Sequence, residues 1–209
     1  MLKHMEKRKV DKMKSDRIEI LNNKIIKQYL DKKIVLGYGN INSPIILIGE
    51  APGSKEVELG EPFVGQAGEH FQEFLGILGI NREDVYITNT VKYRPTKTNP
   101  KTGRLSNRPP TLEEIDKFRD YLIEEISIVN PKIVVTMGNT PLKCIFEKDV
   151  KIGNVHGKLL YKKISEENKL IFPLYHPAAV IYRPQLKDVY LEDLKELKKI
   201  IDNFKNDMK

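Results

Sequence analysis

The chain has one cysteine, no tryptophan and no long apolar run. A single cysteine, Cys144, excludes an internal disulfide and leaves no set of thiolates to build a metal or iron–sulfur site. No apolar stretch approaches the roughly 20 residues that a membrane helix needs, so no membrane role is expected. The N-terminus is basic, but no apolar segment and no small-residue cleavage site follow it, and no signal peptide is read there. These absences together predict a reducing, cytoplasmic setting. Acidic residues are outnumbered, 29 against 36 basic ones, for a net charge of +7. An excess of that size favours a polyanionic partner only where it is also clustered.

What is present fits one domain over residues 1–209, with hydrophobic content of 40%, sufficient for a core. A monomer is expected. Residues 1–15 read as a flexible basic extension. Apolar positions at Ile18, Leu21, Ile25, Tyr29 and Leu30 then predict a helix from about Asp16. Lys33 to Asn40 reads as a short edge strand and turn. The run Ile45–Ile48, ending at Gly49, has the unbroken β-branched character of a strand buried on both faces. Further strands are predicted at 84–89, 132–138 and 169–175, and extended structure at 150–163. Helices are predicted over 67–79, over 111–128 behind a Thr111/Glu114 capping box, from Asn139 to Phe146, and over 186–204. Strand and helix alternate. The expected fold is α/β, with three α/β/α layers around a central, mostly parallel four-stranded sheet.

Two stretches do not fit regular structure. From Gly49 to Gly65 the chain carries Pro52, Gly53, Gly60 and Pro62, a connection longer than the usual two to six or so residues. From Thr90 to Pro110 it holds Lys92, Arg94, Lys97, Lys101, Arg104 and Arg108 without one acidic residue. That one-sided charge suits contact with phosphates. A solvated insertion is the plainer alternative.

Several polar residues sit just past predicted strand ends. Glu50 follows the first strand, Asn89 ends the second, Gly138 and Asn139 follow the third, and His176 follows the fourth. In a parallel sheet such ends share one edge, where open α/β sheets bind ligands. Glu50, Glu56, Phe63, Asn89 and His176 can therefore meet around one pocket. A ring to stack on, an amide that both donates and accepts, an imidazole and carboxylates suit a planar heterocycle such as a nucleobase. Each also has a plain structural reading: Asn89 as a turn residue, Phe63 as core, His176 as a buried structural imidazole.

Four motifs in order, Gly49-Glu50-Ala51-Pro52-Gly53, Gly60-Glu61-Pro62-Phe63-Val64-Gly65, Tyr86-Ile87-Thr88-Asn89 and His176-Pro177-Ala178-Ala179-Val180, resemble the uracil-DNA glycosylase superfamily, and its family four in particular. The resemblance spans about Lys33 to Leu197. It implies a DNA-repair hydrolase acting on uracil-containing DNA, single- or double-stranded, with the base flipped from the stack. It assigns Phe63 to stacking on uracil and Asn89 to reading its edge. Glu50 and Ala51 lie at the uracil pocket, with Glu50 at its floor. His176 would donate to the carbonyl beside the glycosidic nitrogen, and Glu56 would help the attacking water. The resemblance makes Val180, Ile181 and Tyr182 the candidates for the wedge, with Arg183 on phosphate, and Ser54, Arg94 and Lys97 are the other expected DNA contacts.

The resemblance departs from the family at one point. Family four normally holds an iron–sulfur cluster on four cysteines, here falling near Asn22 to Ile26 (two), at Tyr93 and near Ile115, and none is cysteine. No metal and no cofactor are therefore expected, with Ile25, Ile26, Tyr93 and Ile115 packing in the cluster's place. Two other functions remain open: a glycosylase-like module that binds DNA without cutting, and a glycosylase for hypoxanthine or xanthine. A relative that bonds covalently to its abasic product carries a histidine after the second strand, and 90–110 has none.

Overall fold

The computed structural model describes residues 2–147 and 150–206. The first helix, α1 (Leu2–Gln28), starts at Leu2 rather than near Asp16. Its first turns are rich in Lys, Glu, Met and Arg, all good helix formers, so the periodic pattern that begins at Ile18 marks where the helix packs and not where it starts. Strand β1 (Tyr38–Gly39) is all that forms of the expected 33–40 edge strand. Strand β2 (Ile45–Gly49) is buried along its whole length. Helix α2 (Ser54–Leu59) interrupts the Gly/Pro-rich segment that was expected to be irregular. Six helix-compatible residues lie there between Gly53 and a left-handed Gly60.

Helix α3 (Gln66–Leu78) leads through a short 3₁₀ turn, Arg82–Asp84, to β3 (Tyr86–Asn89). The basic stretch 90–110 is not featureless. It carries a hairpin of β4 (Thr96–Thr98) and β5 (Leu105–Asn107), turned by Asn99, whose side chain accepts the Lys101 and Thr102 amides, and by a left-handed Gly103. Helix α4 (Leu112–Val129), β6 (Ile133–Met137) and α5 (Asn139–Phe146) follow as expected. The stretch 150–163 is only partly extended, with helix α6 (Ile152–Val155) before β7 (Leu160–Ile164). Strand β8 (Glu167–Leu174) ends two residues before His176. The loop expected after it is helical: α7 (Pro177–Tyr182) and a 3₁₀ turn, Pro184–Leu186, run into α8 (Lys187–Asn206).

Among the described residues the sheet has six strands in the order β1-β3-β2-β6-β8-β7, not four. The four expected strands are its parallel centre, and β1 and β7 add antiparallel edges. Successive side chains of β2 part to the two faces. Ile45 and Leu47 meet Phe71, Phe74 and Leu75 of α3 and Leu194 and Leu197 of α8. Ile46 and Ile48 meet Leu122 and Ile126 of α4 and Ile145 of α5. This alternation produces the three layers. A third cluster joins α1 to α4 through Leu21, Ile25, Val91 and Phe118.

The chain leaves β2 toward β3 on one side and later crosses back to β6 on the other. The carboxyl ends of β2 and β6 therefore diverge and open a crevice between them.

The basic hairpin is fastened at its base. The Arg108 guanidinium donates to both oxygens of Glu114, at 2.6 and 2.8 Å, and its Nε donates to the Thr96 carbonyl. Tyr93 Oη and the Thr111 amide also donate to Glu114, at 2.7 Å each. The Arg108 bonds foremost, then the Thr111 amide and the Tyr93 hydroxyl, hold the Glu114 carboxyl down at about 2. The clasp thus contributes stability above the ordinary carboxylate value of 4.5 and loses it as pH falls through about 2. Charge-assisted bonds of this kind are worth about 1.5–3 kcal/mol. Glu114→Gln should speed hydrogen exchange at residues 96–107 while β2 and β6 keep their protection. Unchanged hairpin exchange would show that the clasp does not hold it.

Candidate active site

The crevice at the carboxyl ends holds a cavity of about 630 Å³. Its wall takes Glu50 and Ala51 from the end of β2, Ser54 and Glu56 from α2, and Phe63 from the loop before α3. Asn89 comes from the end of β3, Gly138 directly follows β6, and His176 stands two residues past β8. The size lies within the common range for small-ligand sites, about 300–1,000 Å³.

Phe63, Asn89 and Gly49 are in mutual contact. A Cβ on Gly49 would stand 2.4 Å from Asn89 Oδ1 and 2.5 Å from Phe63 Cζ. Only glycine there lets the ring and the amide close over the strand end. The Asn89 side chain is buried at the cavity wall and forms no hydrogen bond to other described residues.

Phe63 has a φ of 55°, a left-handed conformation that costs about 1–3 kcal/mol and survives only where its surroundings enforce it. Arg82 enforces it by donating to the Pro62 and Phe63 carbonyls. Gly68 completes the fit, since a Cβ there would lie 2.3 Å from the Phe63 carbonyl oxygen. The Phe63 ring packs against Phe71 at 4.6 Å and lies nearly parallel to the His176 imidazole at 6.0 Å and 21°.

His176 caps α7, and its Nδ1 accepts the Ala178 amide at 3.2 Å. A neutral imidazole held this way carries its proton on Nε2. Desolvation, opposed by the nearby Glu56 charge, lowers the His176 pKa to about 4. The ring is therefore a neutral N–H donor near pH 7.

Glu56 is buried, and its two oxygens accept the backbone amides of Gly65 at 2.9 Å and Gly53 at 3.1 Å. One carboxylate thus ties both ends of the irregular segment. Gly65 and Gly53 leave it room, as added Cβ atoms would sit 2.9 and 2.6 Å from its oxygens. Glu50 accepts Thr140 Oγ1 at 2.6 Å from α5. Ala51 also packs toward the α1–α4 cluster.

The residues read for nucleic-acid contact spread more widely. Ser54 lines the cavity and accepts Arg94 Nη1 at 3.2 Å, while Arg94 Nε donates to Asn107 Oδ1 at 2.6 Å. Arg94 therefore braces the rim, joining α2 to the hairpin. Lys97 is exposed on β4, away from the cavity, and Arg183 is exposed after α7. Val180 is half-buried against the core and faces a second groove with His70, Phe74 and Tyr190, rather than the cavity. The side chains of Ile181 and Tyr182 lie outside the described residues. Sequence reasoning missed Thr140, Gln66 and Asn107 at the site, since none stands in a recognisable pattern.

The iron–sulfur positions do not fit a cluster. Tyr93 is one member of a group of rings with Tyr29, Phe118 and Tyr121, and Tyr29 stacks on Phe118 at 4.7 Å. Ile25 is buried beside them. The expected packing of Ile26 and Ile115 there is corrected, because Ile26 is exposed and Ile115 joins Ile46 under the sheet. Helix periodicity places neighbouring positions on different faces. Cys144 is fully buried, and burial pushes its thiol up to about 12, so it remains a neutral core group. Among the described residues no group of three or more His, Cys, Asp or Glu could hold a metal ion, and no helix is long and apolar enough to cross a membrane.

In the unfolded chain His176 protonates near 6.5, so folding stability tied to this ring is complete above that value and declines as pH falls toward 4. A titration of the imidazole by nuclear magnetic resonance should find its midpoint near 4. A midpoint above 7 would mean a largely cationic ring near pH 7 and a different role.

The sequence profile described as the Uracil DNA glycosylase superfamily matches residues 36–198. The type-4 uracil-DNA glycosylase of Archaeoglobus fulgidus is 40% identical over 167 residues, 78% of this chain and 79% of that protein. The type-4 uracil-DNA glycosylase of Thermotoga maritima is 36% identical over 171 residues, 80% of this chain and 83% of that protein. A type-5 uracil-DNA glycosylase of Pyrobaculum aerophilum is 26% identical over 158 residues, 68% of this chain and 64% of that protein. Every cavity-lining residue from Glu50 to Ala178 falls inside the matched span, and the chain belongs to the uracil-DNA glycosylase superfamily.

Proposed function

We propose that the protein is a monofunctional uracil-DNA glycosylase of base-excision repair, hydrolysing the N-glycosidic bond of uracil in DNA. The observation that carries this reading is the meeting of Phe63, Asn89 and a neutral His176 around one cavity. A base in a duplex cannot reach such a pocket, so the nucleotide is flipped out of the stack. Phe63 stacks on the ring. The Asn89 amide pairs with the acceptor and donor on the uracil edge, and cytosine, which presents an amine instead, leaves buried groups unpaired.

His176 Nε2–H donates to the carbonyl beside the glycosidic nitrogen. Bond cleavage sends the electron pair of the C1′–N bond into uracil, and this donor stabilises the charge that develops there. The deoxyribose passes through an oxocarbenium-like state. A water oxygen then bonds to C1′, its proton leaves to the departing base or to solvent, and an abasic site and free uracil remain. The Glu56 oxygens keep lone pairs beyond those taken by the Gly53 and Gly65 amides, and can orient that water. Glu50, oriented by Thr140, lies at the pocket floor.

Ser54, Arg94, Lys97 and Arg183 are the proposed phosphate contacts, and α7 with Val180, Ile181 and Tyr182 the proposed wedge into the duplex. The reading requires no metal and no iron–sulfur cluster, and takes the protein to act as a cytoplasmic monomer on single- or double-stranded DNA. Hypoxanthine and xanthine are disfavoured by Asn89, which matches the uracil edge.

An end-labelled oligonucleotide carrying one uracil, incubated in EDTA and then treated with alkali, tests the reading. Cleavage at the uracil is expected, and Asn89→Ala and His176→Ala should each lower kcat by about 10²–10³-fold, the usual cost of losing an aimed donor. Retained binding without cleavage in any pairing context would instead make the protein a DNA-binding module.

A further inference from the structure

The cavity accounts for the side chain of Asn89 but not for what fixes its backbone. Behind the strand end, on the α4 side of the sheet, lies a buried ion pair whose two side chains do not line the cavity. Lys92 is 0% exposed and Glu125 2%. Lys92 Nζ donates to Glu125 Oε2 at 2.5 Å, to Thr88 Oγ1 at 2.5 Å and to the carbonyl oxygen of Asn89 itself at 2.9 Å. All three ammonium protons are used. Glu125 also accepts Thr88 Oγ1 at 3.1 and 3.2 Å and Tyr86 Oη at 2.9 Å. The far side is closed by Gly37, where a Cβ would lie 2.4 Å from both Glu125 Oε1 and Tyr86 Oη.

We infer that Lys92, held by Glu125 and Thr88, is a positioning residue that sets the backbone of Asn89 and thereby aims its amide at the base. Stability alone is a poor reason for such a pair. Desolvating two charges costs several kcal/mol per ion, and well-packed apolar residues in their place are often neutral or stabilising. A network with every donor and acceptor satisfied supplies a single geometry instead. Asn89 needs that geometry, because two bonds to one flat edge tolerate little error, and a misplacement of about 1 Å can cost about 10²-fold in rate. The rest of the turn gives less control. The Thr90 amide and hydroxyl both bond to the Gly49 carbonyl, and the Val91 amide bonds to the Glu50 carbonyl, which tie the chain beyond Asn89 to β2. Among the described residues only Lys92 reaches back to the Asn89 carbonyl by a side chain.

The inference rests on Asn89 reading the base, so the test is a cycle in which that residue is also removed. Single-turnover excision of uracil is measured for Lys92→Met, Asn89→Ala and the two together. Lys92→Met should lower the rate by about 10²-fold with little change in DNA affinity, and by less than about threefold when Asn89 is already alanine. Free uracil should inhibit Lys92→Met more weakly than wild type. Lys92→Met paired with Glu125→Met should recover thermal stability without recovering rate. If Lys92→Met does not fold, Thr88→Val carries the same cycle. Additive losses in the cycle, or recovery of rate together with stability, would make the pair structural only and overturn the inference. Absence of uracil excision by the wild-type protein would instead refute the proposed function on which it rests.

Discussion

The parallel register of β2 against β3 and β6 is the constraint on which the site depends. Gly49 stands opposite Asn89, and Ile48 opposite Thr136, so the three chains leave the sheet at one level. Had β3 slipped by one residue, Asn89 would face α4 and Thr88 the cavity, since side chains alternate between faces. The burial of Ile46, Ile48, Tyr86 and Thr88 on one side and Ile45, Leu47 and Ile87 on the other opposes that slip. Core packing and site geometry are therefore one requirement. The same apolar pattern that forms the layers determines which polar residue faces the cavity.

Around this edge, backbone does much of the work usually given to side chains. Glu56 is ligated by two amides, His176 by one, and Phe63 is held through its own carbonyl and that of Pro62. Each of these contacts needs a close approach, and glycine stands wherever a Cβ would block it, at Gly49, Gly53, Gly65 and Gly68. Glu56 has two tasks as a result. It keeps the loop shut, and its charge lies near enough to His176 to oppose part of the desolvation that keeps that ring neutral. Its removal would disturb both.

The parallel strands, the outer helices and the grouping of Glu50, Glu56, Phe63, Asn89 and His176 were legible because each rests on a local pattern: β-branched runs, helical periodicity, and a polar residue after a strand. What was not legible depends on distant partners. The helix Ser54–Leu59 is shorter than a period can reveal, and the hairpin in 96–107 has strands of three residues. Thr140 is one threonine among many until the fold sets it against Glu50. Lys92 read as one more cation of a basic stretch, and only the arrival of α4 with Glu125 takes it inside. The cysteine positions were legible as departures. The ring cluster of Tyr29, Tyr93 and Phe118 was not, because it draws on α1, the β3 loop and α4 together.

The two outer strands of the sheet are poor templates for another chain. Strand β1 is two residues long, and β7 turns alternate residues outward, including Tyr161 and Lys163, beside Lys162. An unpaired strand edge is a template on which a second chain can add hydrogen bonds and begin an aggregate. One edge here is too short to register a partner, and the other carries adjacent lysines whose charges repel a copy of themselves. The sheet is therefore poorly suited to strand-by-strand growth, which matters most when many copies crowd along the same polyanion.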